Sequence, residues 1–71
     1  MNRRNVQSSN IASIGYDSQK QILEVEFHQG SIYRYYDVPE IVYNGLMSAT
    51  SHGQYLNLYI IKAGYRNTKV L

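Results

Sequence analysis

The 71-residue sequence contains no cysteine and no tryptophan, and only one proline. Without thiols it has neither a disulfide nor a thiolate metal site to staple a small core. Two isolated histidines, His28 and His52, do not make a zinc site without several carboxylate helpers, so no metal or cofactor is expected. No apolar run approaches the roughly 20 residues that span a bilayer. Met1-Asn2-Arg3-Arg4-Asn5 has two charges but no apolar stretch behind it, so it does not read as a secretory signal. Together these absences point to a cytoplasmic protein with no membrane partner. A chain of this length makes one domain, residues 1–71, and it must be stabilised by packing, helped by self-association if the core is small.

What is present is a well-spread hydrophobic content of 44%, which argues against disorder. The formal charge is only +2, but it is unevenly placed. Arg3 and Arg4 sit near one end, and Lys62, Arg66 and Lys69 near the other. All five acids, Asp17, Glu24, Glu26, Asp37 and Glu40, lie between them. Basic ends of this kind are either solvated tails or a phosphate-binding footprint.

Periodicity supplies the fold class. Residues 1–8 lack periodicity and read as a loose arm. From Ile11 an alternation begins, with Ala12, Ile14 and Tyr16 on one side and Ser13 and Gly15 on the other, the signature of a half-buried strand. After a polar turn at residues 17–21, Leu23, Val25 and Phe27 alternate with Glu24, Glu26 and His28 in a second strand. A third strand follows the His28-Gln29-Gly30 turn. A two-residue turn at Gln29-Gly30 would oppose Val25 to Arg34 and drive a guanidinium into the core. A three-residue loop with Gly30 left-handed instead opposes Val25 to Tyr33, Leu23 to Tyr35 and Glu24 to Arg34. Tyr33 and Tyr35 then face the core, while Ile32, Arg34 and Tyr36 face outward.

Pro39 suits the first turn of a helix carrying Val42, Leu46 and Ala49, with Gly45 on the same stripe. A glycine there costs about 1 kcal/mol against alanine, which predicts a close approach to its backbone. Ser51-His52-Gly53-Gln54 has capping-box spacing. The second helix should run from about His52 to Ala63, with Tyr55, Leu56, Tyr59 and Ile60 as its stripe and Gly64 as its C-cap. Residues 65–71 read as an irregular tail. The expected architecture is therefore α+β: a three-stranded antiparallel meander followed by two short helices packed on one face.

Several fragments in order resemble the KTSC domain. They are Ser8-Ser9-Asn10-Ile11 through Ile14-Gly15-Tyr16-Asp17, Leu23-Glu24-Val25-Glu26-Phe27 with Gly30, Tyr33-Arg34-Tyr35, Val38-Pro39, Val42-Tyr43 with Leu46, and Ser51-His52-Gly53-Gln54-Tyr55-Leu56-Asn57. The resemblance spans about residues 8–66. That family is named for its place at the C-terminus of some lysyl-tRNA synthetases and also occurs as short stand-alone proteins of bacteria and phages. The resemblance implies a small binding domain, with RNA as a suggested partner by analogy with the synthetase. The ending Asn67-Thr68-Lys69-Val70-Leu71 departs from the aromatic-basic tail expected of relatives.

No catalytic constellation accompanies these motifs, so an enzyme is not expected. Ser51 is explained as a cap, His28 as a turn residue, and no nucleophile-elbow glycines flank any serine. The stronger functional signal is eight tyrosines. Tyr16, Tyr33, Tyr35, Tyr55 and Tyr59 fall on core stripes, leaving Tyr36, Tyr43 and Tyr65 without a structural explanation. Two candidate surfaces result. Ile22, Ile32, Arg34 and Tyr36 form an outer sheet face that Glu24 and Glu26 make acidic, suited to a protein partner or a second copy. Lys62, Tyr65, Arg66 and Lys69, joined by Arg3 and Arg4, form a basic-aromatic surface suited to RNA or single-stranded nucleic acid. The two functional readings are an RNA-binding module and a protein-interaction or self-assembling accessory protein of a bacterium or phage. A third is capture of a nucleotide-like molecule between tyrosines.

Overall fold

The structure, a computed structural model describing residues 1–71, is an antiparallel sheet with helices on one face. Its elements are β1 (Arg3–Asn5), β2 (Ile11–Asp17), β3 (Ile22–Phe27), β4 (Ile32–Tyr35), α1 (Glu40–Ser48), α2 (His52–Leu56), a π-helical turn (Asn57–Ile61) and β5 (Asn67–Lys69). The sheet has five strands in chain order, β1-β2-β3-β4-β5, rather than the three expected. Both additions are edges. The arm read as loose pairs Arg3 with Gly15 and Asn5 with Ser13, and the tail read as irregular pairs Tyr33 with Lys69 and Tyr35 with Asn67. Each is a three-residue exposed strand with no hydrophobic alternation to announce it. What recruits them is the unpaired backbone polar groups along the edges of β2 and β4.

The central register is the one that the charge argument requires. Leu23 faces Tyr35, Glu24 faces Arg34 and Val25 faces Tyr33. The loop closes with the Phe27 N–H donating to the Ser31 carbonyl, and Gly30 is left-handed at φ 110°. In β2 the alternation is broken. A bulge between Ile11 and Ser13 resets the parity, so that Ile11 and Ile14 are both fully buried and Ala12, expected inside, is not part of the core.

The core lies between the inner sheet face and the helices. Ile11, Ile14, Leu23, Val25 and Tyr35 from the sheet meet Val38, Leu46, Leu56 and Ile60. Tyr16 stacks on Tyr43 at 4.5 Å between ring centroids, and its hydroxyl donates to the Val38 carbonyl at 2.5 Å. Burial, then Glu40, push the Tyr16 phenol up, which keeps that donor protonated. Tyr43 therefore has a packing role that the sequence did not reveal. Tyr65 is likewise half-buried against the core.

The helical segment starts as expected, with Ser51 Oγ accepting from the Gln54 N–H at 3.2 Å. It then widens. The Lys62 N–H donates to the Asn57 carbonyl, an i→i−5 bond, at 3.0 Å. This π spacing places Ile60 rather than Tyr59 below Leu56. Tyr59, expected on the buried stripe, is 56% exposed. Gly64 ends the segment at φ 87°, as a left-handed C-cap should.

Candidate functional site

The outer sheet face is organised around one carboxylate. The β3–β4 register sets Glu24 beside Arg34, whose Nε donates to Glu24 Oε1 at 2.7 Å. From the other side, β1 sets Arg3 opposite Gly15. Gly15 has no side chain to obstruct it, and a Cβ there would press on Arg3 and on the Asn2 carbonyl. Arg3 thus crosses β2 and donates from Nη1 to Glu24 Oε2 at 2.5 Å. Its Nε donates to Ser13 Oγ at 3.0 Å, and Ser13 Oγ donates to Glu26 Oε1 at 2.7 Å. Glu24 is only 4% exposed. Burial pushes its carboxyl up, but the hydrogen bonds and charges of Arg34 and Arg3 outweigh that and hold it below the ordinary carboxylate range.

This arrangement changes the electrostatic reading of the face. Glu24 is enclosed by two guanidinium groups and presents little free negative charge to solvent. Arg3 and Arg34 both pair with Glu24, Arg3 Nε also lies 4.0 Å from Glu26, and Arg66 adds a third cation over the Tyr36 ring. The acidic character inferred from sequence for this surface is correspondingly weakened.

Pairing of β5 with β4 brings the two sequence-derived surfaces together. The Tyr36 N–H donates to the Arg66 carbonyl at 2.8 Å, and the Arg66 guanidinium lies 4.8 Å from the Tyr36 ring centroid. Arg34, Tyr36 and Arg66 therefore share the outer face, with Ile22 and Ile32 half-buried beside them. The remaining basic residues are dispersed. Arg4 opposes Ile14 and Lys69 opposes Tyr33, so both project to the helix side of the sheet, at opposite edges. Four strand spacings separate those edges, about 19 Å. Lys62 is exposed at the end of the π turn, and Tyr65 is partly committed to the core. Arg3 and Arg4 do not join the tail as one patch; Arg3 lies on the outer face, bonded to Glu24 and Ser13, and Arg4 on the helix side.

A second concavity lies elsewhere, where residues 7–10 face residues 50–57 across a cleft of about 580 Å³. From sequence Ser8 ends a loose arm and Ser51 is a cap, and nothing there brings the two segments together. The bulge at Ile11 and the hydrogen bond from His28 Nε2–H to the Ser8 carbonyl, at 2.9 Å, hold residues 7–10 in place.

Residues 7–65 match the KTSC domain. The whole chain is similar to an uncharacterised protein of Stutzerimonas stutzeri, 43% identical with 99% of each chain covered. It is also similar to a segment of the lysine–tRNA ligase of Nostoc punctiforme, 39% identical over 76% of this chain and 10% of the ligase. Among solved structures, a KTSC domain protein of Yersinia pestis superposes with a TM-score of 0.88 at 39% identity, covering 99% of this chain and 97% of that one.

Proposed function

The chain belongs to the KTSC domain family, and from that premise we propose that it is a non-catalytic binding module that takes single-stranded RNA on its outer sheet face. The observation that carries this reading is the Arg66 guanidinium seated over the Tyr36 ring. The pair offers a flat stacking surface and a cation on the same face of the sheet as Arg34, which is the combination that holds unpaired bases and their phosphates. Similarity to a segment of lysine–tRNA ligases favours RNA among possible partners. A binder rather than a catalyst is supported by the capping role already taken by Ser51, the serine that adjoins His52. Ser51 Oγ caps α2, and His52 Nδ1–H donates to the Leu46 carbonyl at 2.8 Å.

Few cations are available on this face, so binding should be weak and sensitive to salt. About three phosphate contacts give a slope near −2 in log affinity against log salt for a single strand. Fluorescence anisotropy with mixed-sequence single-stranded RNA at low salt tests the reading. Arg66→Glu and Tyr36→Ala should each weaken binding about tenfold, equivalent to about 1.4 kcal/mol, and Lys69→Glu, on the other side of β5, should weaken it less. Absence of saturable binding by the unaltered protein would remove the proposal. A protein-interaction or self-assembly reading keeps one observation in its favour: exposed Val70 and Leu71 extend the apolar strip at Ile32, to which the Leu71 N–H is bonded. Light scattering that shows a dimer disrupted by Ile32→Asp, with RNA binding absent, would establish that reading instead.

A further inference from the structure

The cleft between residues 7–10 and 50–57 is lined mainly by uncharged polar side chains. No aspartate, glutamate, lysine or arginine lines it. Its rim carries the carboxamides of Asn10, Gln54 and Asn57, none of which makes a side-chain hydrogen bond within the protein. Each therefore keeps a donor and an acceptor side by side. His52 adds to this set. Its Nδ1–H is committed to the Leu46 carbonyl, which leaves a lone pair on Nε2. Phe27 and Ile61 supply an apolar wall. The volume falls in the usual range for small-ligand sites, about 300–1,000 Å³.

Gly53 keeps the cleft open. A Cβ there would lie 3.8 Å from Ser8 Oγ and 3.9 Å from Asn10 Nδ2, so a larger side chain would occupy the space between the two segments. The absence of charge disfavours phosphate, carboxylate or ammonium as the recognised group. Adjacent donor–acceptor pairs beside a flat apolar wall match the edge and face of a heterocyclic base, which carboxamides read in a bidentate manner. We propose that this cleft is a binding site for a single uncharged nucleobase, supplied either by a free nucleoside or by an unstacked base of an RNA strand. The site is separate from the outer sheet face and does not depend on it.

The test is a titration of isotope-labelled full-length protein, followed by amide and side-chain carboxamide resonances. Adenosine, guanosine, cytidine and uridine are added singly to a few millimolar, with ribose as a base-free control. At least one nucleoside should give saturable shifts confined to residues 7–10, 27 and 50–57, and ribose should not. Gly53→Leu should abolish those shifts. If that variant does not fold, Asn10→Ala and Asn57→Ala, both at exposed positions, should each reduce affinity about tenfold. If free nucleosides are silent but a short single-stranded RNA shifts the same residues, the base arrives as part of a strand. Silence with both, shifts located elsewhere, or equal shifts from ribose would overturn the assignment. Arg66→Glu separates this site from the outer face, because it should impair RNA binding there while leaving the nucleoside shifts intact.

Discussion

Replacing Glu24 with alanine is expected to destabilise the protein by about 2–3 kcal/mol, measured by urea or thermal unfolding. The carboxylate is nearly inaccessible and accepts from two guanidinium groups on strands to either side. Removing one member of a buried charge cluster typically costs about 3–5 kcal/mol, because the remaining charges lose their partner without regaining water. Solvent reaches both arginines here, which brings the figure to the lower end of that range or below it. The cluster as a whole need not be worth that much. Exchanging all three residues for apolar ones, Arg3→Met, Glu24→Leu and Arg34→Met, should cost less than Glu24→Ala alone, since the buried carboxylate leaves together with both of its guanidinium partners. A triple variant less stable than the single one would show that the ion pairs stabilise the fold in their own right.

The same carboxylate makes the stability depend on pH in a defined direction. Its folded value lies below the ordinary 4.5, so the unfolded chain takes up the proton more readily. The stabilisation is fully present above about pH 4.5 and is lost as the pH falls through the lower folded value. Glu24→Gln should flatten that acid limb. An unchanged slope would mean that another group governs acid unfolding.

The second large effect is expected at Gly45, with a sign opposite to intrinsic helix preference. Alanine in place of glycine inside a helix ordinarily adds about 1 kcal/mol of stability. Here a Cβ would overlap the phenol of Tyr55, which crosses directly over the Gly45 backbone. Tyr55 is itself packed on Tyr59, with ring centroids 4.7 Å apart, so it has a neighbour to displace before it can yield. Gly45→Ala should therefore destabilise by about 1–3 kcal/mol, the usual cost of overpacking. Gly45→Ala combined with Tyr55→Leu should be substantially less damaging than the sum of the two single changes, a coupling that a double-mutant cycle reads directly. Additivity, or a stabilised Gly45→Ala, would show that the ring moves aside at little cost.

The contrast between these two sites explains how much the sequence disclosed. Close approach at Gly45 was legible because a glycine in a helical stripe conflicts with local propensity, and such conflicts need a tertiary cause. The β3–β4 register was legible for a related reason: only one pairing keeps Arg34 out of the core. Tyr36 and Arg34 were accordingly assigned to the correct face. Enclosure of Glu24 was not legible, because it depends on Arg3, and Arg3 is positioned by a strand too short to carry a pattern. Contact between Tyr36 and Arg66 was hidden in the same way by β5. Tyr43 and Tyr65 lacked an explanation in one dimension because their partners come from distant elements: Tyr16 on β2 for the first, the assembled core for the second. The polar cleft joins two segments that each had a sufficient local explanation, so nothing in either called for the other.

The order of the strands bears on how the molecule assembles. β1 through β4 are successive neighbours joined by short turns, and such local connections close quickly. β5 must wait for the whole helical segment to loop back, a long closure with only three residues of pairing to reward it. Pulse-labelling hydrogen exchange during refolding should therefore find the Val25 amide protected before those of Val70 and Leu71, and simultaneous protection would refute that sequence of events. Because Arg66 arrives with β5, the guanidinium–phenol platform would be the last part of the surface to mature and the first to fray on heating. A ligand gripping it would then act as a clasp on the C-terminal end of the chain.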